Sequence, residues 1–226
     1  MIEATLIDHM GSDISVVNAA RVSFGKKSEL VCTDHTLGTY ELKEGDKKLI
    51  KYLAKHNHIS PFGHAFASFH VKAPIFVARQ LVKHKFLRWN EISRRYVADD
   101  PVFYEPDVWR YRAEDVKQGS SSEGTTLSEM YGWDTYKKDM YSVPLQHYKS
   151  LLKKGVCPEQ ARMVLPQSMM TEWYWSGSLD AFADMCKLRC KPDTQLESRM
   201  VADPISNLMS NLFPVSWEAL VGQTTP

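Results

Sequence analysis

The 226-residue chain carries neither Gly-x-Gly-x-x-Gly nor Gly-x-x-x-x-Gly-Lys-Ser/Thr. That removes the usual glycine-based case for a dinucleotide or triphosphate site. Metal spacing is missing too: there is no Cys-x-x-Cys and no His-Glu-x-x-His, so no metal site is predicted. Cys32, Cys157, Cys186 and Cys190 include one close pair, Cys186/Cys190, whose spacing is a single helical turn, so reduced thiols and a cytoplasmic protein are expected. No run approaches the roughly 18 apolar residues of a membrane span. Met1-Ile2-Glu3-Ala4-Thr5-Leu6 has no basic lead and no long apolar stretch, so the chain reads as soluble and unexported, with no membrane partner. An excess of one charge is also lacking. Lys+Arg 28 against Asp+Glu 27 leaves a net charge of +1, which argues against a broad nucleic-acid-coating surface.

What is present supports a sizeable core: 43% hydrophobic residues, with six Trp, ten Tyr and nine Phe. With no internal repeat and no interdomain linker, residues 1–226 read as one α+β domain of mixed helices and antiparallel sheet. Residues 1–7 and 13–18 predict short strands. Residues 45–57 predict a helix with Leu49, Ile50 and Leu53 inward and its lysines mostly outward. Alternation from Gly63 to Lys72 predicts a strand, and Pro74 suits the first turn of a helix running to about His84. Residues 114–133 read as a mobile surface loop long enough to act as a lid. A helix is expected over 134–154, kinked or restarted at Pro144 and ended by Gly155 in a left-handed conformation, and Pro158 opens another short helix. A strand over 168–176, a helix over 179–188 capped by Ser178, and a last helix from near Asp193 towards Leu212, bent or interrupted at Pro204, complete the reading.

The densest chemistry lies between Arg79 and Tyr96, where six fixed cations, His84 and Glu91 share eighteen residues with Trp89 and Tyr96. Either this face is solvated or something anionic and aromatic binds there, and a nucleotide meets both requirements.

Lys83-His84-Lys85, seven residues, then Ser93, within Asn90-Glu91-x-Ser93-x-Arg95-Tyr96, resembles the signature of the flavin-dependent thymidylate synthases, Arg-His-Arg, seven residues, Ser. Further blocks occur in family order: Ala19-Ala20-Arg21-Val22-Ser23-Phe24, His58-x-Ser60-Pro61-Phe62-x-His64, Ala73 to Gln80, Gln160-Ala161-Arg162-x-x-Leu165-Pro166, and Leu188-Arg189. Together they span most of the chain. Lys83 and Lys85 replace two motif arginines, which preserves charge but not the planar bidentate fork. Arg88 stands where many members carry a small residue, and is expected to supply part of a lost guanidinium's role.

The resemblance implies reductive methylation of deoxyuridine monophosphate (dUMP) to thymidine monophosphate (dTMP). It implies tightly bound FAD, with methylenetetrahydrofolate and NADPH as co-substrates, and a homotetramer whose active sites draw on more than one chain. By motif position, Gln80, Lys83, Glu91, Ser93, Arg94, Arg95, Arg162 and Arg189 bind the nucleotide. Arg189 is the catalytic residue: set over the uracil, it favours the ionised ring and raises the nucleophilicity of the carbon to be methylated. His58, Ser60, Lys83, His84, Lys85, Glu91, Ser178 and Asp184 line the flavin. At positions 178 and 184 the family often has asparagine, and arginine where this chain has Asp180.

Blander readings stand beside these. A Lys-His-Lys triplet alone is usually a solvated face, and His64 and His70 on a strand are more often packed than ligands. Trp173, Tyr174 and Trp175 suit core or interface. Cys157, before Pro158, sits where a thiol pKa can be depressed, yet a structural role is the better reading, because the resembled family uses no cysteine nucleophile. Two rivals remain: a flavin-using relative acting on another uracil derivative, and a non-catalytic single-strand nucleic-acid binder stacking bases on Phe86, Trp89 and Tyr96.

Overall fold

The computed structural model describes residues 1–97, 99–114, 119–131, 135–136 and 138–222. Its centre is a four-stranded antiparallel sheet of β1 (Glu3–Met10), β4 (Phe66–Pro74), β8 (Met170–Ser178) and β5 (Leu87–Glu91), in the order β1-β4-β8-β5. Two ribbons stand apart from it: β2 (Val31–Asp34) with β3 (Thr39–Glu41), and β6 (Trp109–Arg112) with β7 (Ser120–Thr125). Strand alternation gives the sheet two unlike faces. Ala67, Phe69, Val71 and Ala73 of β4 are buried beside Trp173, Trp175 and Gly177 of β8, and Leu87 and Trp89 of β5 share that face by register. Helices Leu179–Arg189 and Leu196–Leu212 cover it with Phe182, Met185, Val201, Ile205 and Met209. Trp89 stacks on Trp173 at 4.3 Å, and Phe182 meets Phe69 edge-on at 5.1 Å. Each fully buried side chain of this size contributes about 1.5–3 kcal/mol through surface removed from water.

The 13–18 strand is corrected to a helix, Asp13–Arg21. Its β-branched residues favour a strand locally, but tertiary contacts override them. The Ser12 amide donates to Ser15 Oγ at 3.0 Å, while Val16 and Val17 enter the core. The Asp13 carboxylate accepts the amides of Val215 and Ser216, each at 2.9 Å, and so caps the C-terminal helix Pro214–Val221 from some 200 positions away. The 45–57 helix is Glu44–Lys55, followed by Asn57 at φ 55, a left-handed conformation that asparagine tolerates.

Other boundaries move. The helix after Pro74 ends at Leu81, and a strand that the sequence did not reveal, β5, follows it. Of the supposed 114–133 loop, Ser120–Thr125 is a strand and Leu127–Tyr131 a helix; 115–118 and 132–133 lie outside the described residues. The 134–154 helix is Val143–Lys153, with Pro144 in its first turn and a π-helical turn, Lys138–Ser142, before it; 134 and 137 lie outside the described residues. Gly155 has the expected positive φ, 82°. Ser178 precedes its helix, but its hydroxyl makes no capping bond. The last long helix begins at Leu196 and passes Pro204 uninterrupted.

Candidate active site

Two large cavities flank the segment that follows the Ile75–Leu81 helix (α3). Successive helical residues point about 100° apart, so neighbours on α3 diverge. Arg79 lines one cavity, of about 630 Å³, and Gln80 the other, of about 610 Å³; Lys83 lines both. The first gathers Arg79, Lys83, Arg94 and Arg162 around one carboxylate, Glu91, with Met163, Met169 and Met170 as its apolar wall. The second gathers Gln80, Lys83, Arg110, Arg189, Lys191 and Gln195. Among the described residues no group of His, Cys, Asp and Glu could hold a metal ion.

Several side chains are fixed before any ligand arrives. Glu91 Oε1 accepts the Thr171 hydroxyl at 2.7 Å, and Oε2 accepts the Trp89 indole N–H at 3.1 Å. Gln80 Oε1 accepts from the buried Ser198 at 2.5 Å, and its amide nitrogen donates to Gln195 at 3.3 Å. Arg110 Nη2 donates to both carboxylate oxygens of the buried Glu197, at 2.8 and 3.0 Å, which cancels its charge locally. Arg189 donates from Nε to His84 Nε2 at 2.9 Å, and its Nη groups have no partner among the described residues. Burial, then the nearby Arg189 charge, pushes the His84 pKa down to about 4. His84 is therefore neutral at pH 7 and able to accept. Burial also lowers the Arg189 pKa, without discharging so strong a base.

The predicted residues divide between these places. Gln80, Lys83 and Arg189 converge on one cavity; Lys83, Glu91, Arg94 and Arg162 converge on the other. Ser93 Oγ accepts from the Arg95 amide at 3.3 Å and Nε at 3.2 Å, and neither residue lines either cavity. Ser178 lines a third cavity, on the opposite sheet face. His58, Ser60, Lys85 and Asp184 are exposed and border none of these three cavities; the His58 ring packs near Tyr52 and His56, and Asp184 faces Lys187 at 3.4 Å. Arg88 does not sit near Lys83's cavities: it lies on the other side of β5 from Glu91, so it does not stand in for the lost motif guanidinium at those cavities within one chain. Sequence reasoning placed Arg79 in the cation cluster, four residues before Lys83, but not among the nucleotide-binding residues. It also missed Thr171, Gln195 and Ser198, which reach the site only through the sheet and the 196–212 helix and leave no local signal.

Residues 5–215 match the family model described as thymidylate synthase complementing protein. The chain is 41% identical over 216 residues to the flavin-dependent thymidylate synthase of Thermus thermophilus, covering 95% of this chain and 73% of that one. It is 38% identical over 224 residues to the Kosmotoga olearia enzyme of the same name, covering 96% and 88%. This chain belongs to the flavin-dependent thymidylate synthase family. The same likeness extends to architecture: the crystal structure of PolB, a UMP/dUMP methylase from Streptomyces cacaoi bound with 5-Br dUMP, superposes with a TM-score of 0.80 at 30% identity, covering 98% of this chain and 95% of that one. Membership in this family makes the chain a methyltransferase enzyme. Among the described residues no helix is long and apolar enough to cross a membrane.

Proposed function

We propose that this family member converts dUMP to dTMP, with FAD as its cofactor, methylenetetrahydrofolate as one-carbon donor and NADPH as reductant. The observation that carries the reading is the convergence of motif residues on two adjoining cavities joined by Lys83. Four cations around a carboxylate whose two oxygens are already engaged suit an anion of two or more charges, such as a phosphate monoester. The three-methionine wall suits a planar ring beside it.

In this reading Gln80, Lys83, Glu91, Ser93, Arg94, Arg95, Arg162 and Arg189 hold the nucleotide. Arg189, anchored through Nε by neutral His84, turns its unengaged Nη donors to the pyrimidine carbonyl and stabilises negative charge as it develops on the ring. A flavin dinucleotide needs cations for its phosphates and a groove beside the nucleotide, and Lys83, His84, Lys85, Glu91 and Ser178, with His58, Ser60 and Asp184, are the residues that would hold it. Bound there, flavin supplies hydride, so no cysteine nucleophile is needed. The thiols fit this. Cys186 is buried, and burial raises its pKa well above the ordinary thiol value, the opposite of nucleophile activation.

One domain over residues 1–226, a homotetramer with shared sites and a cytoplasmic setting belong to the same reading. Splitting the motif residues between two cavities of one chain supports active sites completed by another, and four free cysteines support a reducing compartment. The near-neutral charge speaks against the nucleic-acid binder. Because the structural relative PolB is named for both UMP and dUMP, the deciding experiment offers each nucleotide separately with methylenetetrahydrofolate, NADPH and FAD, and identifies the product by mass. dTMP from dUMP supports the reading; a methylated ribonucleotide alone replaces it with the rival substrate; no methylated product from either refutes it.

A further inference from the structure

Arg79, Lys83, Arg94 and Arg162 border the first cavity, and none of them is ion-paired among the described residues. Arg94 Nη1 donates to the Asp99 carbonyl oxygen at 2.5 Å and Arg162 Nε to the Glu159 carbonyl oxygen at 3.3 Å, neutral partners that leave both charges uncompensated. The Glu159 carboxylate faces Arg95 instead, at 3.7 Å. One carboxylate, Glu91, lines the same cavity, and it too makes no ion pair among the described residues. Left to itself, a mobile carboxylate among four cations collapses onto one of them.

The sheet supplies the restraint. Register sets Glu91 opposite Trp173 and Trp89 opposite Trp175, so Glu91 and Trp89, two residues apart on β5, share one face. Thr171 stands two residues from Trp173 on β8 and is the diagonal neighbour of Glu91 across the ladder. It is buried, and its hydroxyl donates to Glu91 Oε1 at 2.7 Å. The Trp89 indole, held by its stack on Trp173 at 4.3 Å, donates to Oε2 at 3.1 Å. Both oxygens are therefore fixed by neutral donors, which locate the negative charge without cancelling any of the four positive ones.

We propose that Thr171 and Trp89 are positioning residues that keep Glu91 off the cations, so that Arg79, Lys83, Arg94 and Arg162 stay free for the phosphate of the nucleotide. This rests on the nucleotide reading above and adds to it two residues that act through Glu91. Without them the Glu91 side chain turns to a neighbouring cation, and a phosphate must displace that pair before it binds.

The test uses the full chain. The affinity of dUMP is measured by calorimetry, and that of deoxyuridine, which lacks the phosphate, by competition against dUMP, for the parent, Thr171→Val, Thr171→Ser and Trp89→Phe. Valine keeps the β-branched shape that suits a strand and removes the hydroxyl, and phenylalanine keeps an aromatic stack and removes the N–H. Loss of one charge-assisted phosphate contact predicts dUMP binding weaker by at least about fivefold in Thr171→Val and in Trp89→Phe, with deoxyuridine changed by less than about twofold and Thr171→Ser close to the parent. In turnover the loss falls on KM, and kcat at saturating dUMP stays within about twofold. The decisive arm removes the charge of Glu91. In Glu91→Gln a neutral amide cannot pair with the cations, so adding Thr171→Val is expected to change dUMP affinity by less than about twofold. A dUMP affinity within about twofold of the parent in both Thr171→Val and Trp89→Phe overturns the inference, and a loss in one of them alone supports it for that residue only. Equal losses for dUMP and deoxyuridine, or a fivefold loss that persists in the Glu91→Gln background, also overturn it. A parent that binds dUMP no more tightly than deoxyuridine defeats the phosphate reading of the cavity itself, an outcome distinct from a discriminating parent with indifferent variants.

Discussion

Replacing His84 by alanine removes the only acceptor that Arg189 has among the described residues, the 2.9 Å contact from Nε to the imidazole. A hydrogen bond to a charged group contributes about 1.5–3 kcal/mol. Because His84 is only half-buried, solvent screening places the effect near the lower bound, a loss of about ten- to thirtyfold in kcat. His84→Gln offers a carbonyl acceptor and is expected to recover part of it. The same contact fixes a pH dependence. The folded pKa of His84, about 4, lies below its ordinary 6.5, so the neutral form is the one that folding favours. The corresponding stability is complete above pH 6.5 and is lost as pH falls towards 4, where the imidazolium cannot accept from Arg189 and repels it. The assay is initial rate against pH at saturating FAD, with flavin occupancy recorded for each variant so that cofactor loss is separated from catalysis. An alanine variant within twofold of the parent in kcat, or a parental acid limb set by His84 at 6.5, would refute this role.

Asp13→Ala leaves two amides of the C-terminal helix without their carboxylate, a cost of about 2–4 kcal/mol and a melting point lower by about 5–15 °C in a thermal scan, with Asp13→Asn losing about half as much. An unchanged melt would mean that the cap contributes nothing. Gly177→Ala brings a Cβ within 2.5 Å of Leu87 Cδ2 and 3.0 Å of the Phe86 carbonyl oxygen, so urea unfolding is expected to show a loss of about 1–3 kcal/mol, and equal stability would contradict the packing. Lys83→Ala, at the junction of both nucleotide cavities, should weaken dUMP by at least about tenfold in calorimetry, whereas Lys83→Arg restores a bidentate fork and should bind as tightly or better. Mixing inactive Arg162→Ala chains with inactive Arg189→Ala chains should return partial activity if sites are shared between chains, and none if each chain is self-sufficient.

Period-two alternation in residues 66–73 and the apolar spacing of 179–186 were readable because one side of each element faces a single core. The Ile14-Ser15-Val16-Val17 run misled for the opposite reason: its helix is set by Asp13 meeting residues 215 and 216, a contact invisible to local pattern. Strand β7 was hidden by a composition of Ser, Gly, Glu and Thr that reads as loop. At the site, motif spacing pointed to Lys83, Glu91, Arg162 and Arg189, but not to their division between two cavities, which follows from the diverging sides of α3. The partners that fix Gln80 and Glu91, namely Ser198, Gln195 and Thr171, come from distant elements, and no spacing rule reaches them.

The most direct test of the central claim is tritium release from uracil-5-labelled dUMP with methylenetetrahydrofolate, NADPH and FAD, comparing the parent with Arg189→Ala. The account predicts release by the parent that disappears without FAD and in the variant. Release that persists without FAD or survives the loss of Arg189, or no release by the parent under any flavin and folate condition, would contradict it.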